Sequence, residues 1–522
     1  MANNESTTTL KTIKAAMEAQ TYFLGIALSL LFLLNWLAKY YKLKPNVSHK
    51  LPPGPNTLPL IGNLHQLALA GSLPHHALRK LAQKYGPLMQ LQLGEIPTVI
   101  ASSSEMAKEI MKTHDIAFVQ RPQFIFGDIL SYGGMNIVFA PYGDYWRQMR
   151  KICALELLSA KRVKSFSSIR EDETAKLIDS IRRSAGSQVN LSHKIYSLIS
   201  ASVSRAAFGG KHKDQEEFVL PLLRRVIEAI GGFDFVDLFP SLKFIHFITG
   251  KRAKLEKLQK QVDELLDRVV QEHQDKRKEV KEGGVEIEDE DFVDVLLRIQ
   301  ENDTLDVKMK TSQVKAVILD VFVAGSDTSA SVLEWAMAEI MKNPRVKEKA
   351  QSEIRQAFRE KETIHESDVE ELSYLKLVIK ETLRLHPPVP LLIPRECMEL
   401  TNIDGYEIPK KTKVMINVWA MGRDAEYWSD AERFIPERFE GSSMDFKGNN
   451  FEYVPFGAGR RMCPGMTFGL ASIMLPLTLL LYHFNWELPN EISPENMDMT
   501  EQPGLVIGRK NALRLIPFVY HP

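Results

Sequence analysis

The sequence predicts a mainly α-helical protein with small β-sheets, one large helix-rich domain behind an N-terminal membrane helix. Three observations predict this. Residues 21–38 (TYFLGIALSLLFLLNWLA) contain no charge. Leu255, Leu258, Val262, Leu265, Leu266 and Val269 recur at three- and four-residue spacing, as do Val314, Val317, Ile318, Val321, Phe322 and Gly325, which is the period of long helices. Residues 87–101 and 402–418 alternate apolar and polar around Gly94-Glu95 and Asp404-Gly405 turns, which is the pattern of paired strands.

The uncharged run comes first in the chain. At 1.5 Å per residue it makes a helix of about 27 Å, close to the ~30 Å hydrocarbon core of a bilayer. It starts late and no small-x-small cleavage site follows, so it reads as a retained anchor rather than a signal peptide. Lys39, Lys42, Lys44 and Lys50 follow it, whereas Glu5, Lys11, Lys14 and Glu18 cancel ahead of it. The positive-inside rule then puts the C-terminal side in the cytosol. The expected organisation is a short lumenal N-terminus (1–20), a transmembrane anchor (21–38), a basic and proline-rich hinge (39–60, containing Leu51-Pro52-Pro53-Gly54-Pro55) and a catalytic domain (61–522).

Composition excludes several classes. With 66 Lys and Arg against 66 Asp and Glu, no net basic field draws the chain to nucleic acid. Three cysteines in 522 residues exclude a disulfide scaffold and a cysteine-rich zinc site, and suit a reducing compartment. A second run, 464–486, also lacks Asp, Glu, Lys and Arg. It holds Gly469, Ser472, Pro476, Thr478 and His483, which suit a buried core helix better than lipid. Residues 275–291 are densely charged around Gly283-Gly284 and read as a solvated loop.

The chemistry concentrates at Phe456-Gly457-Ala458-Gly459-Arg460-Arg461-Met462-Cys463-Pro464-Gly465. Met462 stands where a dinucleotide-binding loop needs glycine, and no Gly-Lys-Ser/Thr follows. Instead one cysteine sits among glycines and arginines ahead of a helix. A helix N-terminus and two arginines favour the thiolate, a form fit to ligate iron, and glycines let backbone approach a flat cofactor. A buried core cysteine is the competing reading of this segment alone. Elsewhere, Glu381 and Arg384 share a helix face at i,i+3 ahead of Pro387-Pro388, Arg438 lies in Pro436-Glu437-Arg438-Phe439, and Ala324-Gly325-Ser326-Asp327-Thr328-Ser329 places poor helix formers in mid-helix. Local breaks of propensity often mark function.

In this order these elements resemble the cytochrome P450 family. Phe456, Gly459, Arg461, Cys463 and Gly465 match its haem-binding signature, and Glu381 and Arg384 its Glu-x-x-Arg pair, with Arg438 as third partner. Ala324, Gly325, Asp327, Thr328 and Ser329 match its oxygen-activation motif, and Trp146 and Arg150 its Trp-x-x-x-Arg. The anchor and the proline segment resemble the microsomal subgroup, and the wording of the motifs resembles the plant branch of specialised metabolism.

The resemblance implies haem b, with Cys463 as its axial ligand, Phe456 beside the sulfur, the 464–486 helix beneath, and Trp146, Arg150, Arg395 and Arg461 on the propionates. His386 is a rival axial ligand on residue type alone. Asp327 and Thr328 would deliver protons, the hydroxyl holding a water in a locally opened helix, with Gly325 giving room over the iron. Glu381, Arg384 and Arg438 would be structural. Substrate walls would come from the 124–138 loop and from Val317, Asp320, Val321, Ala324, Val389, Ile393 and Leu505. The implied enzyme is an endoplasmic-reticulum monooxygenase that takes electrons from NADPH–cytochrome P450 reductase, a separate flavoprotein. It would hydroxylate or epoxidise a hydrophobic small molecule, foremost a terpenoid, with flavonoids and alkaloids as alternatives. Rearrangement of a peroxide or oxime, or a non-enzymatic haem protein, are competing functions that the intact Asp327-Thr328 pair disfavours. Phe233, Phe235 and Phe239 would touch the bilayer surface.

Overall fold

The computed structural model describes residues 50–521 other than 70–72, 210–218, 231–234, 243, 245–248, 284–289, 303–308 and 490–491. The expected anchor, the lumenal residues and Phe233 lie outside the described residues.

Nine helices carry the architecture needed here: α1 (Asp144–Ile152), α2 (Ser167–Arg182), α3 (Leu191–Phe208), α4 (Lys251–Gly283), α5 (Phe292–Glu301), α6 (Thr311–Lys342), α7 (Pro344–Ala357), α8 (Ser373–Leu385) and α9 (Met466–His483). α6 has 32 residues, a rod of about 48 Å, and runs through the core against α3, α5, α8 and α9. α9 is apolar all round, as a helix buried on every side should be. It carries Pro476 in its interior.

The strands form three small sheets. β1 (Leu88–Leu93) and β2 (Ile96–Ala101) make an antiparallel hairpin turned by Gly94 at φ 60°. β7 (Lys413–Ile416) pairs parallel with β2 and antiparallel with β4 (Arg395–Glu396), giving the order β1-β2-β7-β4. β5 (Thr401–Ile403) and β6 (Tyr406–Ile408) pair about Asp404 and Gly405, both at positive φ, as a tight hairpin turn requires. β3 (Val189–Asn190), β9 (Arg514–Val519) and β8 (Phe484–Glu487) make the third sheet. The helix-rich fold with small sheets is therefore the one the sequence predicts.

Three expectations change. Residues 275–283 are helical, not loop: α4 continues to Gly283 because its charges find partners along it, Arg277 and Lys281 on Glu301 and Lys278 on Asp275. The 124–138 loop contains a short helix, Ile125–Leu130. Phe239 is unavailable to a bilayer, since it is buried against β1 and β2 with Leu238, Leu93 and Ile100. The end of the proline segment, read as a stiff extended hinge, is also docked on β1. The Pro53 carbonyl accepts from Gln90 N at 2.9 Å, and a Cβ on Gly54 would meet the Gln90 carbonyl oxygen at 2.0 Å. Prolines cannot donate, so the segment is held through its carbonyls.

α8 ends at Leu385, just before Pro387-Pro388. On it, Arg384 donates twice to Glu381, both bonds at 2.7 Å, and Arg438 adds one at 2.9 Å, with Glu381 and Arg384 wholly buried. We expect Glu381→Gln to strip the counter-charge from two buried guanidinium groups. That should cost about 3–5 kcal/mol, read as a lower urea midpoint. An unchanged midpoint would remove the network from the structural core.

Candidate active site

Backbone constraints shape the cysteine loop. Gly457 and Gly459 hold φ of 69° and 70°. A Cβ on Gly459 would stand 2.2 Å from the Met111 carbonyl oxygen and 2.6 Å from an Asp115 carboxylate oxygen, so only glycine fits. The Cys463 N–H donates to the Phe456 carbonyl at 3.0 Å and closes the loop. Asp115 grips it from outside, accepting from the Arg460 backbone N–H at 3.1 Å and from the Arg460 guanidinium at 2.9 Å. Phe456 meets Phe446 edge to face at 5.6 Å. α9 starts three residues after Cys463.

Cys463 opens into an interior cavity of about 900 Å³. α6 supplies another wall of it through Ala324, Gly325, Asp327 and Thr328. The sequence reading of the thiol needs correction. Burial pushes its pKa up, against the pull of the Gly465 N–H and of Arg150. The two arginines of the loop are turned elsewhere, Arg460 to Asp115 and Arg461 to carbonyls. The thiolate therefore needs a bound cation, and a coordinating metal ionises a thiol outright.

A third wall is cationic. Arg121, Arg150, Arg395 and Arg461 all line the cavity, with Asp115 as the acid on Arg395 at 2.9 Å. Burial, then repulsion from Arg461, Arg395 and Arg150, holds the Arg121 guanidinium well below its ordinary value. Burial first, then Arg395 and Arg150, brings Arg461 down to about 9. In the protein alone these groups donate to carbonyls: Arg461 to Val119, Ile137 and Ala140, Arg121 to Val138, Ile393 and Pro394, Arg150 to Met462. Trp146 donates to the Ile137 carbonyl at 3.0 Å beneath the Arg461 guanidinium, whose carbon is 4.2 Å from its ring centroid. Three buried guanidiniums and the half-buried Arg150, with Asp115 as the one carboxylate and bonded to Arg395 alone of the four, call for a dianionic ligand. Iron protoporphyrin IX fits this wall through its two carboxylates and the Cys463 wall through its iron. Arg121 was not singled out from the sequence, because a lone arginine before a proline carries no spacing signal.

On α6 the helix is continuous through the motif, not opened. The Thr328 hydroxyl donates to the Ala324 carbonyl at 2.7 Å, an ordinary i−4 back-bond, and keeps lone pairs for a water. Burial raises the Asp327 carboxyl to about 6, although Arg224 pulls it down; Glu334 adds to the rise. Among the described residues Asp327 has no salt bridge, and Arg224 pairs with Glu228 at 3.7 Å. Gly325 lines the cavity, but the Cβ it lacks would point at Val203 of α3, at 3.5 Å, so its smallness serves helix packing as well.

The remaining residues sort by position. Val321, Ala324, Val389, Ile393 and Leu505 line the cavity. Val317 does not; it is wholly buried in the main core. Asp320 is a latch as well as a wall, accepting from Asn136 at 2.6 Å and from the Ile137 and Val138 N–H groups at 2.8 and 3.2 Å. His386 lies elsewhere, stacked on Trp335 at 4.1 Å with its Nε2 2.7 Å from Glu339, and is no ligand.

Comparison with known proteins gives the family and the fold. A family model described as Cytochrome P450 matches residues 52–515. The chain is 63% identical to Cytochrome P450 71D8 of Glycine max over 97% of its length and 99% of the relative's. It is 56% identical to desmethyl-deoxy-podophyllotoxin synthase of Sinopodophyllum hexandrum (97% and 98% covered) and 53% identical to premnaspirodiene oxygenase of Hyoscyamus muticus (95% and 97%). A zebra fish cytochrome P450 solved with abiraterone shares the fold, with a TM-score of 0.72 at 24% identity, covering 86% of this chain and 99% of that one.

The raised Asp327 pKa has a consequence for stability. Between 3.8 and about 6 the folded state holds the proton that the unfolded state has released. Stability contributed by this group is therefore full below pH ~4 and lost as pH rises through about 6. Asp327→Asn removes the charge, so above pH 6 the variant should exceed the parent by about 3 kcal/mol, with no gain below pH ~4. Urea unfolding at both pH values measures this, and an equal difference at both would contradict it.

Proposed function

The chain belongs to the cytochrome P450 family, a haem-thiolate monooxygenase with reductase-supplied electrons, and from that premise we propose that it oxygenates a terpenoid, with Cys463 as the iron ligand. When bound, the haem supplies dioxygen activation, and a thiolate ligand favours O–O cleavage. One observation carries the assignment: Cys463, the Ala324–Thr328 stretch and the four arginines border a single cavity.

Each residue then has a task. Arg121, Arg150, Arg395, Arg461 and Trp146 orient the propionates, and giving up carbonyl partners for carboxylates strengthens their hydrogen bonds. Phe456 and its loop hold the sulfur at fixed height. The Thr328 hydroxyl accepts from a water in the cavity and so positions its protons. Asp327, titrating near neutral pH, takes a proton from solvent and hands it on. Val321, Ala324, Val389, Ile393 and Leu505 present apolar surface to the substrate, which suits a hydrocarbon-rich molecule.

The substrate class rests on the premnaspirodiene oxygenase relative together with these apolar walls. A second reading rests on the Sinopodophyllum relative, named for making desmethyl-deoxy-podophyllotoxin. The electron donor in this reading is NADPH–cytochrome P450 reductase in the endoplasmic reticulum membrane. Residues 21–38 are the anchor, residues 1–20 face the lumen, 39–60 follow as the basic, proline-rich segment, and the catalytic domain, 61–522, lies on the cytosolic face. The anchor rests on its length and its orientation on charge asymmetry.

Microsomes co-expressing the chain and the reductase should convert a member of a panel of sesquiterpene dienes, lignans, flavonoids and alkaloids. The product should carry one added oxygen atom, seen by mass spectrometry, and should depend on NADPH. Lignan turnover without diene turnover would select the second reading. Cys463→Ser should lose the thiolate signature of the reduced carbon monoxide spectrum together with turnover. Thr328→Ala should load haem and consume NADPH but lose ~10²-fold in product, the scale for a removed proton-transfer group, with hydrogen peroxide released instead. Parental coupling in Thr328→Ala would withdraw the role of its hydroxyl.

A further inference from the structure

Apart from the haem cavity, three helices converge on a small polar cluster. His273 lies on α4, Asp291 is the N-cap of α5, Asp294 sits in the first turn of α5, and Gly209 caps the C-terminal end of α3. The three residues are 6%, 6% and 0% exposed. Each offers a ligand atom, and these atoms all lie within 4.8 Å of one another.

The hydrogen bonds leave a deficit. His273 Nδ1 is 2.7 Å from the Val269 carbonyl and so carries a hydrogen, which leaves Nε2 facing an Asp291 oxygen at 2.8 Å. The other Asp291 oxygen accepts from the Asp294 N–H at 2.9 Å. A second proton on His273 would complete Asp291. It would do nothing for Asp294, neither of whose carboxylate oxygens has a hydrogen-bond partner among the described residues. The Asp291 N–H faces that carboxyl without reaching hydrogen-bond geometry. The Arg277 guanidinium donates to the main-chain oxygen of Asp294 and to Glu301 instead. A buried carboxylate with no donor is costly, and native interiors rarely keep one. The neighbouring wall is backbone: a Cβ on Gly209 would lie 2.5 Å from Asp291 Oδ2 and 3.8 Å from His273 Nε2. The negative end of the α3 dipole is thus turned toward the Asp291 carboxylate.

We propose that His273, Asp291 and Asp294 bind a divalent cation of the Zn²⁺ or Mn²⁺ type, which ties α4 to α5 at the end of α3. One imidazole and two carboxylates are a nitrogen and oxygen donor set that suits these ions. Bonds of ~2.0–2.2 Å place ligand atoms roughly 3–4 Å apart; here His273 Nε2 and Asp291 are 2.8 Å apart and no separation exceeds 4.8 Å, so a small adjustment seats the ion. The ion takes the Nε2 lone pair, an oxygen of Asp291 and an oxygen of Asp294, and gives the last the partner it lacks. The role is structural and separate from the reaction at Cys463.

The test uses the full-length haem-loaded protein in detergent. It is dialysed against EDTA and then into metal-free buffer, and is titrated separately with Zn²⁺ and with Mn²⁺. Bound metal is counted by elemental mass spectrometry, and Tm is followed. The parent should bind about one ion per chain and gain Tm as the ion saturates. Asp294→Asn keeps the shape but loses the charged ligand, so its affinity should fall at least ~100-fold with the haem spectrum intact. His273→Gln should behave alike. Without metal, Asp294→Asn should be no less stable than the chelated parent, since the amide relieves a buried charge. The proposal is overturned if neither ion moves the parent's Tm, or if Asp294→Asn binds as much metal as the parent. Either result would mean that a proton, not a cation, neutralises Asp294.

Discussion

Glu381 accepts four hydrogen bonds at a wholly buried position: two from Arg384, one from Arg438 and one from the backbone of Ile435. The two guanidiniums then reach outward. Arg384 donates to the carbonyls of Gly422, Ala431 and Arg433, and Arg438 to that of Ser429. One carboxylate thus fixes the irregular chain between Gly422 and Arg438 against α8. The tie continues toward the cysteine loop. Tyr453 donates to the Lys380 carbonyl and Lys380 to that of Met444, each at 2.8 Å. Coil has no ladder to satisfy its carbonyls, so charged side chains from a helix do so here, and the height of Cys463 depends on them.

Electrostatics at the cavity are unbalanced in the opposite sense. Four guanidiniums and a thiol whose ionisation burial opposes face it, with Asp115 occupied by Arg395 and Arg460. The protein alone is therefore unbalanced in charge, although each of the four guanidiniums donates at least one hydrogen bond. A planar dianion with a metal centre relieves both walls at once: carboxylates answer the arginines, and the metal answers the thiol. Cofactor and apoprotein are complementary because each leaves the other's charge unpaired.

Composition alone misjudges two helices. α6 and α9 are both long and apolar enough to cross a membrane, yet 67% and 56% of their most apolar stretches are buried inside the domain. Their polar residues show why. Ser331 of α6 donates to the Ile507 carbonyl at 2.9 Å, and Ser472 and Thr478 of α9 donate to their own helix. Gly469 of α9 brings that helix close to Ser329 of α6, 3.5 Å from the position of a Cβ. Small and hydroxylated residues at close helix contacts are readable as core once the partner helix is known.

The sequence by itself determined the elements whose cause is local. Period and turn chemistry specify α6, the β1–β2 and β5–β6 hairpins, and the glycines of the cysteine loop, where positive φ admits little else. Fixed spacing made Cys463, Glu381, Arg384, Arg438, Asp327 and Thr328 legible as a set. What depends on distant chain was not legible. Arg121 joins the arginine wall of the cavity only because the chain before β4 and the cysteine loop lie beside it. Phe239 packs inward because β1 and β2 offer it a surface. Val317 faces the core although Val321, one turn on, faces the cavity. Residues 275–283 stay helical because Glu301 supplies partners for their charges. The tertiary structure also decided protonation: burial overrides the helix terminus and the arginines at Cys463, and lifts Asp327 toward neutrality. Desolvation depends on everything packed around a group, and no window of sequence contains that sum.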